Sequence, residues 1–249
     1  MERNPTLDIL MARKSVRVYE ARPVSEEIKS AVIAAALRAP TAGNMMLYSI
    51  IDVVDDELKT ALSHSCDEQP FIATAPIVLV FLADFQRWLD LFAVSGALEA
   101  GGPRPRESDF LLAFSDALIA AQTAVVAAES LGLGSCYIGD IMERYEYHRD
   151  LFGLPLYAFP AAMVVFGWPT EQQRARRQPE RFDRRFIVHE NRYRRPDEAD
   201  YPELYRGRDW GPFLADAANY GQHEYRRKFA TAFSEEMRRS VALALENWR

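Results

Sequence analysis

Apolar positions recur along this chain with two periods, and the alternation between them sets out its elements. From Pro5 to Ala12, the residues Leu7, Leu10 and Met11 fall at helical spacing, which predicts a short opening helix. A stronger helix is predicted from Ser25 to Arg38. There Ile28, Val32 and Ala35 share one face, Ser25 is a fitting N-cap, and Glu26 and Glu27 suit the positive end of the helix dipole. Tyr48 to Val54 is dominated by β-branched residues and predicts a strand. Ile77 to Leu82 and Phe159 to Phe166 are apolar on both faces, the pattern of fully buried strands. Cys136 to Ile138 predicts a short strand, Asp56 to Leu62 a short helix, and Phe110 to Leu131 a long central helix ended by Gly132. Helices and strands therefore interleave, predicting an α+β or α/β sandwich around a small central sheet. Beyond Pro169 the chain turns basic, with Arg174, Arg176, Arg177, Arg181, Arg184 and Arg185. The stretch from Asp209 to Arg249 predicts amphipathic helix, with Leu214, Phe229, Phe233, Met237, Val241 and Leu245 available to cover the core or grip a partner subunit.

Composition narrows the class. The 249 residues are 49% hydrophobic and 27% charged, which is ordinary for a soluble globular chain and excludes general disorder. The formal net charge of −6 argues against broad nucleic-acid binding but leaves room for a local anion site. Cys66 and Cys136 form neither a disulfide framework nor a zinc spacing, and the four histidines, His64, His148, His189 and His223, form no metal-ligand pattern. No metal is therefore expected. The first 17 residues lack an apolar signal core, and the apolar run Phe110 to Ala128 contains Asp116 and Gln122. That run reads as a helix buried by protein rather than lipid, so a cytoplasmic protein without a membrane partner is expected.

Three local patterns carry chemistry. Arg13-Lys14-Ser15-Val16-Arg17 places three cations and a hydroxyl within five residues. In an extended segment Arg13, Ser15 and Arg17 face one way, so their donors can converge on a phosphate dianion; a solvated basic turn is the competing reading. The loop Pro40 to Asn44 is built of small and polar residues that let a planar ring approach the backbone, or it is a plain helix-to-strand connection. Gly132 to Asp140 holds three glycines without the spacing of a Rossmann turn, and offers backbone N–H groups near Ile138 and Gly139. The chain has no nucleophile elbow, no HExxH and no P-loop.

In order and spacing these pieces resemble the nitroreductase family of flavoproteins, over roughly Leu10 to Tyr193. Arg13 to Tyr19 resembles the family's RRSxRxY opening, and Ala39 to Asn44 its APSxxN loop. Ser115 to Gln122 resembles the GDAxxAAQ helix of the dimer interface, Gly132 to Asp140 the GLGxxxIG segment, and Phe166 to Pro169 the FGYP strand end. The resemblance implies an α+β sandwich with a mainly antiparallel central sheet flanked by helices. It also implies a homodimer, FMN held between subunits, and NADH or NADPH as electron donor.

Carried over by position, Arg13, Lys14, Ser15 and Arg17 bind the phosphate and ribityl chain, and Arg181 joins them. Pro40, Thr41 and Asn44 line the flavin, the first two from the other subunit. Gln69 contacts the ring, and the N–H of Ile138 or Gly139 faces flavin N5. One departure stands out: Met45-Met46-Leu47-Tyr48 replaces the usual xQPW, so Met46 stands where a glutamine contacts flavin and the pocket is expected to be more apolar. Leu156, Tyr157 and the stretch Phe85 to Phe92 with Trp88 are candidate aromatic walls.

The expected activity is hydride transfer from NAD(P)H through flavin to a small electron-poor acceptor, with no side chain required as acid. A non-catalytic flavin sensor and a specialised flavin reductase or dehalogenase are the alternatives. The expected domains are residues 1–195 for FMN and 196–249 as a helical extension.

Overall fold

The computed structural model describes residues 4–206 and 216–249; Leu214 and the first residues of the expected C-terminal helix, 209–215, lie outside them. The opening helix forms as α1 (Pro5–Ala12), capped by the Asn4 side chain. In α2 (Glu26–Ala36), Ser25 Oγ accepts the Ile28 N–H at 3.3 Å, which is the N-cap bond that its position called for. Four strands follow the apolar runs: β1 (Tyr48–Asp52), β2 (Ile77–Asp84), β3 (Gly134–Ile138) and β4 (Ala158–Gly167). Their order is β1-β2-β4-β3, every pair antiparallel, so the fold is α+β and not α/β.

Strand β1 stops two residues short of its expected end, because Asp55 turns away to cap α3 (Asp56–Ser65) through the Leu58 N–H. Within β4, Pro160 cannot donate to a ladder. The register shifts opposite Phe81 and Leu82, so the proline sits at an irregularity rather than in a regular ladder.

The sheet is covered on both faces. From β2, Ile77, Leu79 and Phe81 face the long helix, and Val78, Val80 and Leu82 face the other way, as a period of two requires. The expected central helix is α6 (Glu107–Ser130); between α3 and it lie two helices the apolar pattern did not announce, α4 (Pro70–Thr74) and α5 (Gln86–Val94). Helix α6 lies on β2 and β4 through Ala113, Ala117, Ala120, Ala121, Ala124 and Ala128, all fully buried. Alanines let the helix approach the sheet closely. It is long and apolar enough to cross a membrane, but here that face is taken by protein. The opposite sheet face packs on α3, α4 and a third unannounced helix, α7 (Tyr145–Phe152). The short α8 (Glu171–Ala175) follows β4.

Contacts divide the chain into two compact units, Met1–Arg176 with Glu236–Arg249, and Arg177–Glu235. The second contains the short helices α9 (Tyr201–Leu204) and α10 (Tyr220–Glu224). Helix α11 (Ala232–Leu245) leads back into the first unit. There Ser240 Oγ accepts the Tyr145 N–H at 2.7 Å and Arg239 grips Glu146 with two bonds of 2.8 and 2.9 Å. Trp248 is buried edge-on against Phe110 and Tyr157, at centroid distances of 5.3 and 5.1 Å. The end of the chain thus covers its own core.

A strand-like arm after α1 lies against β3: Val16 N–H donates to Ser135 O at 2.8 Å, and Glu20 N–H to Trp168 O at 2.8 Å. It fits only because β3 starts on glycine; a Cβ on Gly134 would stand 2.5 Å from Val16 Cγ2. Gly134→Ala is therefore expected to destabilise the protein by about 1–3 kcal/mol through overpacking, with part of the loss recovered in Gly134→Ala/Val16→Ala. Urea denaturation checks this, and a wild-type midpoint in the single variant would show that the arm does not bear on β3.

Candidate functional site

The arm that Gly134 admits carries the basic motif to the start of β3. Burial pushes the Cys136 thiol up, while the Arg17, Arg13 and Arg176 guanidiniums around it pull it down, so three arginines converge on this strand end. Arg176 also donates to Ser15 O. Lys14 points elsewhere: its Nζ donates to Arg174 O at 2.5 Å and Arg176 O at 2.6 Å. Two of its three donors are thus spent strapping the 174–176 segment to the arm. Glu129, half-buried behind Ser135, has its carboxyl raised by burial against the pull of the Ser135 hydroxyl at 3.2 Å, Arg13 and Lys14. Arg13 and Lys14 act on this carboxylate, and with Arg17 and Arg176 nearby on Cys136 the cations of this region outnumber it. Like charges about 4 Å apart repel by ~1 kcal/mol in water and several times that near a protein surface. A phosphate dianion relieves that repulsion, so the cluster fits one. Arg181 lies exposed in the second unit; Arg176, in the same basic run, is the arginine brought to Ser15, and nothing local in the sequence distinguishes the two.

The loop after α2 is held from behind. Asp116, 3% exposed in the middle of α6, accepts Ala42 N–H through Oδ1 at 2.9 Å and Leu47 N–H through Oδ2 at 3.1 Å. Thr41 Oγ1 accepts Met46 N–H at 3.2 Å. Between these anchors Gly43, Asn44 and Met46 take left-handed φ values of 56°, 57° and 50°. Pro40 and Asn44 are left exposed, with Thr41 half-buried. Met46 packs against the α6-side core, and Trp88 of α5 donates to Met45 O at 2.7 Å. Among the candidate aromatic walls, Phe85 and Phe92 join Leu89 in lining a cavity of about 450 Å³ under residues 97–105. Tyr157 is in the core and Leu156 is exposed.

At the other end of β3 stand Ile138, buried, and Gly139, exposed. Gln69, N-terminal to α4, meets them there: its Nε2 donates to Cys66 O at 2.8 Å and to Asp140 Oδ2 at 2.6 Å. Both partners are acceptors, so the amide nitrogen is committed and Oε1 is what Gln69 offers to a ligand. Glu143, 4% exposed, lies next to this group. Burial, with Asp67, Asp140 and Glu236 facing it and Arg144 opposing, raises its carboxyl to about 7. The expected residues thus assemble as two groups along β3, cationic at its start and amide-bearing at its end, with the Pro40–Asn44 loop anchored on α6.

The arrangement is an antiparallel α+β sandwich with a cationic cluster against an edge strand. The chain matches the Nitroreductase family over residues 10–168 and belongs to it. It is 33% identical over 197 residues to the oxygen-insensitive NADPH nitroreductase of Salmonella typhimurium, covering 78% of this chain and 77% of that protein. It is also 33% identical over 203 residues to the FMN reductase (NAD(P)H) of Bacillus subtilis, with coverage of 78% and 77%. The NADPH:FMN oxidoreductase of Vibrio harveyi, solved with NAD+, superposes with a TM-score of 0.78 at 25% identity, over 97% of this chain and 98% of that one.

Replacing Asp116 by leucine strips two backbone N–H groups of a charged acceptor, so Asp116→Leu is expected to cost about 2–4 kcal/mol. Chemical denaturation measures it; unchanged stability would mean that the loop does not depend on this carboxylate.

Proposed function

We propose that this chain is an FMN-dependent oxidoreductase that passes hydride from NADH or NADPH to a small electron-poor acceptor such as a quinone or nitroaromatic. The observation that carries the reading is the gathering of Arg13, Arg17 and Arg176 around Cys136 of β3, with Arg176 donating to Ser15 O, in a chain of the Nitroreductase family. FMN, when bound, supplies the hydride-accepting and hydride-donating centre.

The chain's own residues bind, orient and shield. Arg13, Ser15 and Arg17, with Arg176, hold the phosphate, charge-assisted bonds being the strong ones. Lys14 keeps the 174–176 segment on the arm and has one donor to spare. Gln69 offers its carbonyl oxygen to a ring N–H, and the backbone N–H of Ile138 or Gly139 faces the ring from the end of β3. Donor and acceptor use one stacking surface in turn, a ping-pong order. No side chain is needed as acid or nucleophile.

The working form is a homodimer. Leu111, Leu112 and Ile119 on the outer side of α6 are 62, 48 and 40% exposed, and Leu7, Leu10 and Met11 of the adjoining α1 are exposed as well. Exposed apolar residues of this number on one helix and its neighbour support an interface with a second copy. Through it Pro40 and Thr41 reach the flavin of the opposite subunit, and Asn44 lines the flavin as well. Residues 1–195 form the flavin domain and 196–249 its extension. The two cysteines are free and buried, which suits the reducing cytoplasm.

The purified protein is expected to be yellow, to release FMN on denaturation, and to oxidise NAD(P)H with a quinone acceptor. Flavin without turnover would leave a redox sensor instead, and colourless protein that takes up no FMN would end the reading. Arg17→Ala and Arg176→Ala are each expected to weaken FMN binding by about 1.5–3 kcal/mol, read by flavin fluorescence titration; an unaltered dissociation constant removes that arginine from the site. Leu112→Glu/Ile119→Glu is expected to yield monomers in light scattering, and an intact dimer would place the interface elsewhere.

A further inference from the structure

We propose that Asp67, Asp140 and Glu143 form a binding site for a hard divalent cation of the Mg²⁺ or Mn²⁺ class, beside Gln69. The three carboxylates come from two parts of the fold: Asp67 from the turn between α3 and α4, and Asp140 and Glu143 from the short turn that joins β3 to α7. Their ligand oxygens all lie within 4.8 Å of one another. Oxygens sharing one cation at about 2.0–2.6 Å stand no more than about 5 Å apart, so this spacing is that of a common ion.

The second observation is Glu143 itself. It is 4% exposed, and its Oε1 has no hydrogen-bond partner. A carboxylate oxygen taken out of water without a partner costs several kcal/mol, and the surroundings do not supply the missing charge. Asp67, Asp140 and Glu236 face it with the same sign, against Arg144 alone. His148 of α7 offers no help. One ring nitrogen meets Glu143 O at 2.7 Å, the other meets Ser65 Oγ at 2.8 Å, and burial lowers its affinity for a second proton.

A cation would satisfy the free oxygen and cancel the crowding. The burial gradient suits it, from Glu143 at the base through half-buried Asp140 to exposed Asp67 at the mouth. Asp140 is already oriented, because its Oδ2 takes the Gln69 amide at 2.6 Å. Such outer hydrogen bonds fix ligating carboxylates in place, and here the same bond links the site to Gln69.

The test uses the purified full-length protein, treated with chelator and desalted. Mn²⁺ is titrated in while free Mn²⁺ is followed by electron paramagnetic resonance, and Mg²⁺ and Ca²⁺ are titrated by calorimetry. One site per chain is expected, with a dissociation constant below about 1 mM. It should weaken at least about tenfold in Asp67→Asn and in Glu143→Gln, a loss of the size that follows removal of a charged ligand. Asp67 is exposed, so its variant does not put folding at risk; circular dichroism and flavin content check both proteins. Mn²⁺ should raise the melting temperature of the parent and not of Asp67→Asn. No stoichiometric binding, or binding unchanged in both variants, overturns the proposal: the cluster is then neutralised by a proton alone, or the ion sits elsewhere. The readout is metal binding rather than turnover, so it fails or succeeds separately from the flavin reading.

Discussion

Two hydrogen bonds to one buried carboxylate set the geometry on which the rest depends. Asp116 is the polar residue on a buried helix face otherwise made of alanines with Phe110 and Val125, and that face lies on the sheet. Because its two oxygens take the Ala42 and Leu47 N–H groups, the position of the 40–47 loop is dictated by α6 rather than by the loop's own sequence. The loop needs such a hold. Asn44 and Met46 adopt left-handed conformations that cost roughly 1–2 kcal/mol each for residues bearing a Cβ. Hydrogen bonds to a charged acceptor contribute about 1.5–3 kcal/mol apiece, which covers that strain. The same helix shows its other side to solvent as Leu111, Leu112 and Ile119. Loop, sheet and outer apolar face are therefore tied into one rigid piece through α6.

How much of this was legible in the sequence follows from where the information resides. The sheet and α6 were readable because burial on both faces, or on an alanine stripe, writes long uniform apolar runs. Asp116 and Gln122 were read as interruptions that argued against lipid; only the fold shows that Asp116 is buried and bonded while Gln122 is exposed. Helices α4, α5 and α7 were not legible. The first is a single turn, the second starts at Phe85 without a side-chain cap, and in α7 the buried positions are Tyr145 and His148, which carry little apolar signal. The basic motif marked the arm as a segment of candidate donors. It could not show that Lys14 turns to the carbonyls of Arg174 and Arg176, nor that Arg176 is the arginine brought to Ser15. Six arginines in one run look alike until tertiary contacts choose among them. The Asp67–Asp140–Glu143 cluster was invisible for the same reason: Asp67 is far in sequence from the Asp140–Glu143 pair and meets it only through the turns after α3 and β3.

Those turns give β3 its electrical character. At its start, Arg13, Arg17 and Arg176 gather around Ser15 and Cys136; at its end, Asp140 and Glu143 gather with Asp67. Five residues at about 3.3 Å each separate the two ends, more than a Debye length of about 8–10 Å, so each charge group acts on a ligand locally rather than on the other group. For the proposed flavin, with a charged phosphate and a neutral polar ring, this charge pattern favours one direction along the strand. Reversing it would set the phosphate against three carboxylates and leave the arginines with a ring. The polarity needs no dedicated recognition residue. It follows from Gly134, which lets the basic arm lie on β3, and from the acid-bearing turn that ends the strand. A cation among the acids would moderate the negative end without reversing it, since three carboxylates outweigh two positive charges. Gln69, bonded to Asp140, stands where that balance would be felt first.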